Sequence, residues 1–235
     1  MGENNAWRWG AYAGIASVVL AIVGYLVLVV GSGGALPNTP DTSKFADYMA
    51  RHVGQVAAFA WIGSLAFVVS LPFIVSVRQV IRAARGEWEW AAGVAFAAGI
   101  SFVVLVLVHF ALFAATTIDT TVNGDPAALK ALFLVGAVIG GTIEWLTTAL
   151  FMLAVSYVIL KSGVLPGWTA WLGYVAAALN LVSSLSIFGG GDTRGFFTAT
   201  GFVGFIFGIV PFLVWVAAIS IAMLGAPEAR RPRAA

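Results

Sequence analysis

Residues 142–168 read TIEWLTTALFMLAVSYVILKSGVLPGW. This stretch sets the architecture, because it is a membrane-length apolar helix carrying one acid, followed by the turn that sends the chain back. Glu144 stands between LFLVGAVIGGTI and WLTTALFMLAVSYVIL, with apolar turns on both sides and no lysine or arginine three or four residues away. A helix neighbour in sequence therefore cannot neutralise it, and its partner is expected from another helix.

The composition agrees with a membrane reading. Hydrophobic residues make up 61% of the 235 residues, charged residues 9%, and the mean hydropathy is +0.99, whereas soluble domains carry roughly a quarter charged residues. In lipid every backbone N–H and C=O must find a partner within the protein, which restricts spanning structures to helices and closed barrels. The alternation of polar and apolar residues that a barrel requires is absent. The fold class is therefore all-α, a single six-helix transmembrane domain over residues 1–235. With no cysteine, disulfides, thiolate metal sites and thiol nucleophiles are excluded. A net charge of +2 gives no footprint for nucleic acid, and the partner the sequence implies is the lipid bilayer.

Working outward, the helix holding Glu144 is expected over about residues 129–160, longer than the roughly 20 residues a bilayer needs. Asp125-Pro126 gives it a natural start. Before it, TTIDTTVNGDPAALKA reads as a loop carrying Asp119 and Asp125, and the third span runs back from there to Trp88–Trp90. The second span covers about residues 53–77, with Pro72 bending its far end. A short interfacial helix over about 42–52 precedes it, capped by Asp41 or Thr42 and with Phe45, Met49, His52 and Val56 at helical spacing. The first span covers about residues 11–30; it exceeds the roughly 7 to 15 apolar residues of a signal-peptide core. Beyond the KSGVLPGW turn, the fifth span covers about 169–188 and the sixth about 198–224, with Pro211 in the middle. The tail, about 226–235, is basic and expected to be disordered.

Arg8, Arg78, Arg82, Arg85, Lys161, Arg230, Arg231 and Arg233 fall on one side of this topology; Lys44, Arg51, Lys130 and Arg194 fall on the other. The positive-inside rule then predicts a multi-pass protein of the bacterial inner (cell) membrane with both termini cytoplasmic. Trp7, Trp9, Trp88, Trp90, Trp168 and Trp171 lie at the span ends as an aromatic belt, while Trp61, Trp145 and Trp215 lie deeper.

Equal steps from the 161–168 turn place Glu144 level with Ser183 and Ser184, and Asn180 one turn nearer the cytoplasm. Gly140, Glu144, Thr147 and Thr148 share one helix face, and Asn180, Ser183 and Ser184 share another. Two polar stripes on adjacent antiparallel helices are expected to face each other, since neither belongs against lipid. Glu144, Trp145, Thr148, Asn180, Ser183 and Ser184 are thus the candidate ligand-binding set. An intramembrane carboxyl of this kind either serves a ligand or proton, or holds helices together as a neutral hydrogen-bonding group. The two histidines, His52 and His109, fall with Asp119 towards the opposite surface from the termini, a second possible polar site. No close histidine pair gives a metal site, and neither metal nor cofactor is expected.

At ALFMLAVSYVILKSGVLPGWTAWLGYVAAAL the chain resembles the bacterial membrane family known as domain of unknown function 4386. The match rests on Lys161-Ser162-Gly163, Leu165-Pro166 and Trp171-Leu172-Gly173, with ARHVGQ before the second span loosely similar; VLPGWTAW lacks the basic residue often found after the proline. The resemblance implies a six-helix layout and no activity. The residues lead to three functional expectations. The first is binding or transport of a small apolar or amphipathic molecule around Glu144. The second is an enzyme acting on a lipid, with His109, Asp119 or Glu144 as acid–base groups, and the third is an accessory subunit of a membrane complex.

Overall fold

The structure, a computed structural model, describes residues 3–33, 41–83, 88–121, 125–189, 196–198, 201 and 203–225. The basic tail and Arg194 lie outside these residues. The helices are α1 (Glu3–Gly31), α2 (Thr42–Arg51), α3 (Val53–Val69), α4 (Leu71–Ala83), α5 (Glu89–Thr121), α6 (Pro126–Val138), α7 (Glu144–Ser162), α8 (Gly167–Ser184) and α9 (Val210–Gly225). Among the described residues they form six helical stretches long and apolar enough to cross a membrane. α3 and α4 make one span, α6 and α7 another.

Local chemistry explains the helix ends. The Asp41 carboxylate accepts from the Ser43 and Lys44 amides and opens α2; its pKa is held below the usual carboxylate range by the Ser43 hydroxyl and the Lys44 amide. Asp125 caps α6 through the Ala127 amide, with Pro126 at the first helical position, where its missing N–H costs nothing. Gly163 ends α7 at φ 65°, a left-handed conformation glycine adopts without strain. Arg82 pairs with Glu89 and ties the end of α4 to the start of α5.

The second span is interrupted where the sequence put its bend: α3 stops at Val69, Ser70 keeps right-handed helical angles, and Pro72 sits in the first turn of α4. Two features depart from the sequence expectation. α5 continues to Thr121, so Asp119 lies in its last turn and not in a loop. The apolar face of α2 is covered by protein: Phe45 and Met49 are buried, and the Phe45 ring packs on Phe133 of α6 at 4.9 Å.

Two spans contain a widened π-helical turn, Ile139–Ile143 between α6 and α7 and Gly204–Ile209 ahead of α9. Both carry paired or spaced glycines, which tolerate the wider turn and let neighbours approach closely. Gly136 and Gly140 lie against α5, where a side chain on Gly140 would collide with the His109 ring. A Cβ on Gly208 would come within 2.6 Å of the Trp145 indole. Both small-residue pairs thus serve contacts within the chain.

Around these turns α7 packs along α8 and against α5, while α1 packs on α3, α4 and α9. Lipid tails are as apolar as leucine, so fit and hydrogen bonds, rather than water exclusion, hold such helices together. Asn180 supplies the hydrogen bonds between α8 and the sixth span. Its amide nitrogen donates to the Ala176 carbonyl at 2.9 Å, to Phe207 at 3.2 Å and to Gly208 at 3.3 Å. Phe207 and Gly208 lie in the π-helical turn just before Pro211, and Asn180 fastens their carbonyls to α8. Asn180→Leu is expected to destabilise the protein by about 1–2 kcal/mol. Equal unfolding midpoints for wild type and variant in detergent titration would contradict this role.

Candidate functional site

Glu144 is the first residue of α7, directly after the π-helical turn, and is 5% exposed. Its carboxyl forms no hydrogen bond or ion pair among the described residues. It lines a cavity of about 510 Å³. The walls come from α1, α3, α5, the two π-helical turns, α7 and α9, and α8 contributes none of the lining residues. Nearly all of that lining is apolar: Phe59, Phe67, Phe110 and Phe113 cover one side, and Tyr25 stacks on Phe205 at 4.6 Å on the other. Ile22 and Leu26 of α1 and Val210 and Val214 of α9 line the cavity yet are also exposed on the outer surface. Side chains of α1 and α9 thus both line the cavity and reach the protein surface, within spans long enough to cross a membrane.

His109 lines the same cavity. Its ring lies over Gly140, one turn before Glu144, and tilts against Phe113 at 4.7 Å. Nδ1 stands 2.7 Å from the Gly136 carbonyl oxygen. A carbonyl can only accept, so Nδ1 carries the proton and, in the neutral ring, Nε2 is left as an acceptor. Glu144 and His109 thus put two polar groups on one wall, fixed there by glycines that leave room for the imidazole.

The other sequence candidates go elsewhere. Trp145 lines the cavity, with its indole against Gly208, and Nε1 has no hydrogen-bond partner. Thr148 is buried, and its hydroxyl donates to the Glu144 backbone carbonyl at 2.8 Å, as Thr147 does. Asn180 is committed to the sixth span as described. Ser184 donates to the Leu181 carbonyl at 2.7 Å, and Ser183 is buried with an unpartnered hydroxyl. Ser183 does lie at the depth of Trp145: a Cβ on Gly204 would sit 3.8 Å from Trp145 Nε1 and 4.0 Å from Ser183 Oγ. These α8 groups are turned to the α7–sixth-span seam, not to the cavity that Glu144 lines. His52 joins α2 to α3 and stacks on Tyr48 at 4.5 Å, outside the cavity lining. The Asp119 side chain is not among those described.

Sequence reasoning missed the α1, α3 and α9 walls. The available signals were weak: a tyrosine in mid-span at position 25, and Gly63, whose missing side chain makes room for the Phe110 ring.

Fold and site together define a polytopic helical membrane protein with a mostly apolar cavity and, among the described residues, one unpaired carboxyl on its wall. No known protein family, curated protein or solved structure matches the chain.

Proposed function

We propose that this protein binds a small amphipathic molecule that arrives from within the bilayer, buries its apolar part in the cavity and sets its polar end against Glu144. The unpaired Glu144 carboxyl on an otherwise apolar wall is the observation that carries this reading. An ionisable group at membrane depth costs at least about 2.5 kcal/mol on insertion scales, and here no protein group offsets that cost among the described residues. A cavity of about 510 Å³ lies within the range of small-molecule sites. The site belongs, in this proposal, to an inner-membrane protein with cytoplasmic termini. Binding is the function proposed; transport would add a second conformation. An acid–base enzyme would need His109 bonded to a carboxylate, and its Nδ1 bond goes to Gly136 instead.

Ala21 and Ala217 line the cavity from α1 and α9. Ala21→Phe and Ala217→Phe, made separately, are expected to weaken binding of 1-adamantanol to the protein in lipid nanodiscs by about tenfold, or about 1.4 kcal/mol. The unfolding midpoints should stay near the wild-type value, because the added rings enter open space. Unchanged affinity in both variants would refute a ligand in this cavity.

A further inference from the structure

We infer that the molecule this cavity takes is a lipophilic ammonium cation, its nitrogen set between the Glu144 carboxylate and the aromatic wall. The inference rests on the binding reading above and names its ligand class. Two of the polar side chains on the lining offer acceptors, Glu144 when ionised and His109 Nε2, because Nδ1 is committed to the Gly136 carbonyl at 2.7 Å; the Tyr25 hydroxyl can donate or accept, and Trp145 Nε1 can only donate. No lysine or arginine lines the cavity. An anionic ligand would meet a carboxylate with no cation to balance it, at a depth where a second uncompensated charge is costly. A neutral alcohol could share one hydrogen bond with the carboxyl, and it would bring no counter-charge to the ionised form.

An ammonium group answers both requirements. It donates to the acceptors and brings the positive charge that no side chain on the lining supplies. The rest of the wall suits it as well. Tyr25, Phe59, Phe67, Phe110, Phe113 and Phe205 all line the space, and ring faces attract a desolvated cation, the chemistry by which aromatic cages hold ammonium ligands. Their hydrocarbon surface would take the lipophilic body.

The test compares three molecules of nearly one shape, 1-aminoadamantane, 1-adamantanol and 1-adamantanecarboxylate, binding to the full chain in nanodiscs of neutral lipid at neutral pH. The amine is expected to bind about tenfold or more tightly than the alcohol, and the carboxylate weakest. Glu144→Gln should bring the amine down to the level of the alcohol, while Glu144→Asp, which keeps the charge, should retain the preference. An alcohol that binds as tightly as the amine, with both displaced by Ala217→Phe, would overturn the ammonium assignment and leave the cavity reading standing. Failure of all three molecules to bind would overturn both. Should Glu144→Gln fail to fold, the order of the three ligands on the wild-type protein decides the matter.

Discussion

Gly140→Val is expected to lower the unfolding free energy by about 2–3 kcal/mol, the upper part of the range for overpacking a tight contact. The His109 ring occupies the space where a side chain at position 140 would have to go. Valine must therefore push α5 away from the π-helical turn or drive the imidazole off the Gly136 carbonyl, breaking a 2.7 Å hydrogen bond. The prediction is sharpest as a double-mutant cycle. In a His109→Ala background the obstructing ring is gone, and the same valine should cost less than about 1 kcal/mol. Additive effects, read from unfolding in mixed micelles, would show that ring and glycine do not meet. The single variant also predicts a weakened site, since the wall carrying both polar groups moves with the ring.

The second large effect concerns Trp215, which is 0% exposed and packs edge-on against Phe151 at 5.5 Å. Trp215→Ala is expected to cost about 3–5 kcal/mol, because the surrounding helices cannot close over the volume of an indole. Trp215→Phe should cost far less than that. The Trp215 Nε1 has no hydrogen-bond partner among the described residues, nor has the neighbouring Ser156 hydroxyl, both crowding Gly173. Phenylalanine thus removes an unsatisfied donor while keeping most of the ring. A phenylalanine variant as unstable as the alanine one would mean that the indole N–H makes a bond the packing does not reveal.

Much of the site's depth could be read from the chain, and little of its direction. Counting from the 161–168 turn put Glu144 level with Ser183, and Trp145 Nε1 and Ser183 Oγ both lie within 4.0 Å of where a Cβ on Gly204 would sit. Rise per residue is nearly constant along a helix, so counts convert to depth. Direction around the axis has no such ruler. α1, α3, α5 and α9 are apolar on all sides, so no polar stripe marks the face turned inward. The π-helical turn at Ile139–Ile143 adds a further change of phase just ahead of Glu144, and a regular helical wheel does not include it. Asn180, read as a partner for Glu144, instead bonds the carbonyls of Phe207 and Gly208.

The amino-acid sequence by itself determined the six spans and the caps at Asp41 and Asp125, because these depend on apolar length against bilayer thickness and on chemistry within a few residues. It also marked Glu144 as a carboxyl that no neighbour along its own helix could neutralise. Only the tertiary structure decided that Glu144 and His109 line one cavity, and that α1 and α9 complete its lining. Those relations depend on how helices without amphipathic faces rotate against one another. In a bilayer that rotation is settled by side-chain fit, glycine clearances and a few hydrogen bonds spread over distant parts of the chain.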